Sequence, residues 1–457
     1  MYKNELPIAD ESQLKKYVAK YFKHFKSKTK DQSCNLLLYF KGLFQGNKRN
    51  VERMNESVKE SDYNALQHFI SEAPWDFRAV LDQISQEVNT LLQAEKTPIG
   101  FIIDESSHPK KGDKSVGVSR QYCGTNGKID NCQVAVYGAY STGKYYGLVD
   151  SSLFLPEVWI KDIKRCKKAG IPDENIVFKS KPQLALDIIK RQLALGNKID
   201  YIGGDGLYGN DYSLMDGLDE LGLIGVLDVH KDQHVYLEEP VIIIPDKKQG
   251  KAGRTPTKYK TTSKAIEVST LKKQLEEKGG EFETEEIRQG TKGSVKRKVA
   301  LINVYIWDGR SSVSKQRQLL IRITETDNGS EEVKYALTNA KQGQFSVKEV
   351  AQMQAQRYFV ERSFQECKSD IGMSEYQVRG WKAWHHHMAM CMMAQAYILT
   401  EKINNKENMP LLSAYDIRQV IMKTYIRKDN EYDEILAQIN YRHKQRHTDA
   451  IRRNGKT

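Results

Sequence analysis

Three acidic side chains stand where phosphoryl chemistry would want them. Asp104 closes the apolar run Ile99-Gly100-Phe101-Ile102-Ile103, which reads as a buried strand, and Asp205 follows a second strand-like run, Ile199 to Gly203. Glu361 falls in a stretch of helical periodicity much further on. In α/β folds reactive side chains sit at strand ends, where the loops leave room for substrate. Carboxylates gathered from separate elements, without His or Cys, favour hard cations such as Mg2+ or Mn2+. Two such ions about 3.5–4 Å apart activate an attacking oxygen and stabilise a leaving one in phosphodiester displacement. Taken alone, an Asp at a strand end is more often a turn or helix-cap residue. The helix around Glu361 adds weight, because Arg357, Glu361 and Lys368 fall within about 40° of one another on an ideal helix. A carboxylate flanked by two cations on one face can serve a metal while its neighbours hold phosphates. The alternative is a solvated ion pair worth a few tenths of a kcal/mol, against which Phe359, Val360 and Phe364 indicate a packed helix.

Other patterns lead away from chemistry. The run Gly204-Asp205-Gly206-Leu207-Tyr208-Gly209 matches the dinucleotide fingerprint, with Asp228 where a ribose-binding acid would stand. That reading fails, since Asp205 would set a carboxylate against the pyrophosphate and no βαβ unit begins there. His385, His386 and His387 diverge by about 100° each on a helix, so they cannot jointly chelate one ion and are expected to pack. The six cysteines, Cys34, Cys123, Cys132, Cys166, Cys367 and Cys391, include no C-x-x-C pair. Reduced core thiols are expected rather than a zinc ribbon or redox motif.

The elements that must position the acids can be read from periodicity. Residues 11 to about 95 carry apolar residues at three-to-four spacing and read as helices. From Pro98 the texture becomes mixed α/β, with strands at 99–103, 132–139, 144–153, 199–203 and 225–229 and helices at 156–168, 181–195 and 211–221. Residues 230–340 interrupt this core with β-like runs at 235–244, 299–307, 318–324 and 334–338 and a loop of basic composition from Lys247 to Lys264. Helical periodicity resumes at Ser346. The expected organisation is a helical N-terminal domain over 1–95, either binding DNA or forming a helical cap with a solvated basic face, and a first part of the core over 96–229. A β-rich insertion follows over 230–340, then a second core part carrying Glu361 over 341–400 and a basic helical C-terminal region over 401–457.

At 457 residues the chain has room for two or three such units, and its net charge of +12 suits a polyanionic partner. The excess is concentrated: Pro245–Ala300 holds 15 basic and 8 acidic residues, and Met1–Glu60 holds 13 and 7. No run approaches the ~18 apolar residues of a membrane helix. Met388 to Leu399 reads as a buried helix, and Met1 to Asp10 lacks the apolar core of a signal peptide. A cytoplasmic, nucleoid-associated protein without membrane partners is expected.

The segments Phe101–Gly112 (FIIDESSHPKKG), Gly117–Gly124 (GVSRQYCG), Asp130–Val136 (DNCQVAV), Gly204–Gly209 (GDGLYG) and Arg357–Lys368 (RYFVERSFQECK) together resemble bacterial insertion-sequence transposases of the DDE class. The likeness runs from about residue 35 to 400, and the subgroup it resembles carries a β-rich insertion between the second Asp and the Glu. The resemblance implies an RNase H-like mixed sheet with flanking helices, with Asp104, Asp205 and Glu361 as catalytic residues that hold two Mg2+ (or Mn2+) ions. The family's helix signature is Tyr, two residues, Arg, three residues, Glu, six residues, Lys. Arg357, Glu361 and Lys368 match it, whereas Gln354 stands in the Tyr position. An alternative register takes Glu366 with Arg362 and places Met373 where Lys belongs.

The resemblance further implies double-stranded DNA as partner, both terminal inverted repeats and target, and a homodimer in the synaptic complex. Arg357, Lys368, Lys110 and Lys111 are its expected phosphate contacts. Trp307 is the expected base-stacking residue if the chain behaves as hairpin-forming relatives do, with a buried strand Trp as the alternative. The implied reaction is cut-and-paste transposition. The other readings are a domesticated DNA-binding descendant and an RNase H-like nuclease without strand transfer.

Overall fold

A computed structural model describes residues 11–245, 256–280, 282–290, 293–325 and 329–424, with scattered residues between 436 and 451. Most of the expected basic loop, from Lys247 to Arg254, and nearly all of the chain after Thr424 lie outside the described residues.

Among the described residues the main sheet has ten strands: β1 Gly100–Pro109, β2 Ser119–Cys123, β3 Lys128–Ser141, β4 Tyr146–Leu153, β5 Tyr201–Gly204, β6 Gly225–Val229, β7 Glu283–Gly290, β8 Gly293–Ile306, β9 Lys315–Glu325 and β10 Glu331–Thr338. They lie in the order β7-β8-β9-β10-β6-β5-β1-β3-β2, with β4 also on β3. Strand β3 is antiparallel to both β1 and β4, and β5 and β6 run parallel to β1. Three antiparallel strands followed by two parallel ones make the RNase H-like mixed sheet that the motifs implied.

Two expectations change. The apolar run before Asp104 suggested a strand ending there, but β1 continues to Pro109 because its second half pairs with β3, from Glu105 opposite Val136 to Pro109 opposite Cys132. The run Val235–Ile244 forms no long strand: it pairs at His234–Val235 and Ile242–Ile243, with an isolated bridge from Tyr236 to Tyr305. Pro240 and Pro245 lack the N–H a ladder needs, and Val241, Ile243 and Ile244 remain exposed. The later insertion strands instead prolong the core sheet. Strand β10 pairs antiparallel with β6, from Tyr335 opposite Val229 to Thr338 opposite Val226, and β9 buries Leu319, Leu320, Ile321 and Ile323.

The N-terminal helices are α1 Glu11–Ala19, α2 Ser33–Gln45, α3 Val51–Ser57, α4 Tyr63–Ser71 and α5 Phe77–Gln93; the core adds α6 Lys181–Ala194, α7 Tyr212–Glu220, α8 Val347–Ala355, α9 Arg357–Glu366 and α10 Trp381–Asn404. Asp76 caps α5 by accepting from the Arg78 amide at 2.8 Å. Val80, Leu81, Ile84, Val88 and Leu92 then form one buried stripe that packs on α10 and β4. Helix α10 is buried along most of its length, as its apolar run predicted, and all three histidines are buried in it. His386 stacks on Trp75 with ring centroids 3.6 Å apart, His385 stacks on Phe77, and His387 Nδ1 meets the Tyr39 hydroxyl at 2.8 Å. Their role is packing. Of the cysteines, Cys34 alone is exposed, so five of the six thiols sit in the core as expected.

A buried ion cluster fastens the helical part to the sheet. Asp150 of β4 is fully buried and accepts from Arg78 of α5 at 2.7 Å and from Arg191 of α6 at 3.0 Å. Burial alone would raise its carboxyl, but the two guanidiniums hold it below the ordinary range.

Candidate active site

The cleft arises from a mismatch in strand length. Parallel pairing of β1 with β5 covers only Gly100–Ile103 against Tyr201–Gly204. Past Ile103, β1 has lost that neighbour, and Asp104 is the first residue beside the gap. Asp205 leaves β5 by capping the short helix Gly206–Gly209, its Oδ1 accepting from the Leu207 amide at 3.0 Å. It is therefore the cap that a lone strand-end Asp often is, and its charge also acts on Asp104. The glycine pattern around it is a packing device: a Cβ on Gly209 would stand 2.0 Å from the Asp228 carbonyl oxygen.

Arg357, the first residue of α9, is the hub. Its guanidinium lies 2.9 Å from Glu361 Oε1, 3.3 Å from Asp228 Oδ2 and 3.7 Å from Asp104 Oδ2. Burial and the neighbouring charge of Asp205 push the Asp104 carboxyl up to about 8, opposed by Arg357. Burial, Glu105 and Asp228 likewise raise Asp205, and burial raises Asp228 against the pull of Gln354 and Arg357. Glu361 is the open member of the set, with a side chain 53% exposed. Glu105 is engaged by Lys181 at 2.8 Å and by the Tyr208 hydroxyl at 3.0 Å.

Two cavities flank Glu361. One of about 460 Å3 is lined by Asp104, Glu105, Tyr122, Thr125, Glu361 and Lys368 among others. The other, about 170 Å3, lies between the insertion strands and α9 and gathers Arg288, Arg297, Arg322, Lys334, Gln354 and Arg357. There Gln354 donates to Asp228 Oδ1 at 2.5 Å. Among the described residues, its Oε1 and the Arg322 Nε are buried without a partner.

The donor set is all oxygen, as Mg2+ and Mn2+ require, and the guanidinium of Arg357 already acts as a cation among these carboxylates. Among the described residues no three acidic, His or Cys side chains stand close enough to hold one ion, because the acids are spaced around Arg357. The oxygen donors of Asp104, Asp205 and Glu361 suit a divalent cation in kind, but in this arrangement Arg357 holds contacts with Asp104 and Glu361 that such an ion would have to replace.

The other expected contacts divide. Lys368 sits in the π-helical turn after α9, lines the larger cavity and donates to Thr125 Oγ1 at 3.3 Å. Lys111 is exposed. Lys110 is turned inward, its Nζ 3.3 Å from the Tyr376 ring centroid and 3.2 Å from the Tyr376 carbonyl, and burial lowers it to about 7; a lysine so spent does not present its charge to a phosphate. Trp307 lines neither cavity. Residues Val295 and Arg297 at the start of β8 face the smaller cavity, and ten further residues of extended chain carry Trp307 roughly 33 Å away. Its indole donates to the Ser311 carbonyl at 2.9 Å, so the base-stacking expectation finds no support in this arrangement. Glu366, the acid of the alternative register, is buried against Lys402 and the Tyr146 hydroxyl, each at 2.8 Å.

Reasoning from the sequence missed Asp228, Arg288, Arg297, Arg322 and Lys334. Asp228 is the penultimate residue of β6, whereas Asp205 directly follows β5. The basic four carry no local signal, since the strand pairing brings them together.

A family model described as DDE superfamily endonuclease matches residues 20–294, more than half of the chain and inclusive of Asp104 and Asp205. The chain belongs to the DDE endonuclease superfamily. Membership implies use of a divalent metal. The chain is also similar to the probable transposase for insertion sequence element IS701 of Microchaete diplosiphon, at 30% identity over 194 residues. That match covers 42% of this chain and 47% of the relative, about half of its length. Among solved structures, a piggyBac transposase in a synaptic complex with hairpin DNA aligns over 90% of this chain and 76% of its own, with 11% identity and a TM-score of 0.37. Among the described residues of this DDE endonuclease, no helix is long and apolar enough to cross a membrane.

Proposed function

We propose that this DDE endonuclease is a DNA transposase that cleaves at the ends of an insertion sequence and joins the freed ends to target DNA. The observation that carries this reading is the convergence of Asp104 and Glu361 on one guanidinium, with Asp205 close enough to raise Asp104, beside a cavity rich in arginine. Asp104, Asp205 and Glu361 would hold two divalent cations, which when bound would supply activation of the attacking oxygen and charge neutralisation at the leaving one. Arg357, still held by Asp228, orients a phosphate beside Glu361. Lys368 and the arginines of the smaller cavity hold the flanking strand through charge-assisted contacts. In the first step water attacks phosphorus, the bond to the 3′ oxygen breaks, and that oxygen takes up a proton as a hydroxyl. In the second, this 3′-hydroxyl attacks a target phosphodiester, losing its proton as the target strand's 3′ oxygen leaves and gains one. Target DNA, inverted terminal repeats and a dimeric synaptic assembly are the partners of this reading.

Incubating the full chain and Mg2+ with labelled duplex that ends in the inverted repeats flanking its gene tests it. Nicking followed by joined product is expected. Binding without nicking would leave only a DNA-binding descendant, and nicking without joining would leave a nuclease. Asp104→Asn, Asp205→Asn and Glu361→Gln should each abolish cutting while retaining DNA binding. A variant that cut at the wild-type rate would remove that residue from the set.

A further inference from the structure

The β2–β3 hairpin forms a wall of the larger cavity, and its two faces differ. Cys123 and Cys132 on one face are fully buried with Val134. On the other, Tyr122 and Ile129 are paired across the strands and are 62% and 63% exposed. Isolated exposed apolar residues are ordinary, but Tyr122 lines the same cavity as Asp104 and Glu361. The hairpin is also fixed to the strand that carries Asp104. The Thr125 amide donates to Ser107 Oγ at 3.0 Å and Thr125 Oγ1 donates to the Ser107 carbonyl at 2.7 Å. Lys368 closes the connection from α9 to Thr125. Arg120 and Lys128 are exposed on the same hairpin, while its one acid, Asp130, is occupied by Asn126 and the Asn131 amide.

We propose that Tyr122, backed by Ile129, is a stacking platform for an unpaired base of the DNA strand lying in the cleft. The inference rests on the transposase reading and adds a substrate contact that the catalytic motifs do not contain. An aromatic ring fits any base, because every base has a π-face, and the surrounding cations fit the backbone that carries it. Ser107 lies three residues after Asp104 on β1, so a base stacked on Tyr122 fixes the position of its own backbone relative to Asp104. The ring does the stacking and the hydroxyl is dispensable.

The test uses the full chain, Ca2+ in place of Mg2+, and a fixed-sequence duplex whose single-stranded 3′ overhang carries 2-aminopurine. Stacking should quench the fluorophore on binding with the wild type and with Tyr122→Phe. Tyr122→Leu, which keeps an apolar side chain without a π-face, should lose the quench and bind roughly 5- to 100-fold more weakly. Equal quench and equal Kd for Tyr122→Leu and wild type would overturn the platform while leaving cleavage and joining untouched. A change in self-association of Tyr122→Leu with quench unaltered would also overturn it, assigning the patch to a second copy of the chain. Failure of the wild type to bind any DNA would instead strike the transposase reading, and the inference with it.

Discussion

At the scale of single residues, Asp104 is the side chain whose protonation should be visible. Its folded-state carboxyl titrates near 8, against an ordinary carboxylate range in the unfolded chain. The folded protein therefore binds the extra proton between about pH 4 and pH 8, and the metal-free protein should lose stability as pH rises through that window. Asp205 and Asp228 are shifted in the same direction. Denaturant melts across the window should show the decline, and Asp104→Asn should flatten it. Since a coordinating carboxylate must give up its proton, Mn2+ affinity should rise with pH up to about 8, measured calorimetrically without DNA. Removing the resident guanidinium with Arg357→Ala should tighten Mn2+ binding in that assay while weakening DNA binding. Unchanged metal affinity would show that Arg357 does not compete with the ion.

Elements decide which of these residues meet. Asp104 was legible because an apolar run breaks at a carboxylate, and Glu361 because of the cations at helical spacing. Asp228 was not, since its approach to Arg357 comes from the parallel register of β5 with β6 and from Gly209 lying against its carbonyl. The register also explains why Asp104 lies mid-strand rather than at a strand end: hydrophobicity reported the β5 partnership and said nothing of the longer one with β3. Gly209→Ala should destabilise the fold by about 1–3 kcal/mol through overpacking against β6, read as a fall in Tm. The same variant should reduce cleavage through displacement of Asp228, and wild-type cleavage would mean that β6 absorbs the added carbon elsewhere. At the other face, Asp150→Ala leaves Arg78 and Arg191 without their shared buried anion. It should cost about 3–5 kcal/mol, measured by denaturant unfolding.

Over the whole molecule, charge and continuity govern behaviour. The net charge of +12 was read as pointing to a polyanion, and Arg288, Arg297, Arg322 and Lys334 gather some of it on insertion strands beside Glu361. Replacing Arg288 and Arg297 together by Gln should lower the slope of log Kd against log salt by about 2, if each faces one phosphate. An unchanged slope would take them out of the DNA path. Composition could announce such a partner but not its location, because the arginines come from three strands and meet only through their antiparallel register.

The long central helix α10 is wrapped from outside by the N-terminal helices. The Tyr17 hydroxyl reaches the Met393 carbonyl at 3.1 Å, Trp75 covers His386, and Arg78 completes the charge around Asp150. A nuclease fragment begun at residue 96 would thus be stripped of its own lining, exposing apolar flank and an under-neutralised carboxylate to water. Anyone dissecting this enzyme should expect such a piece to aggregate. Assigning separate tasks to its parts will depend on point substitutions in the intact chain rather than on scissors.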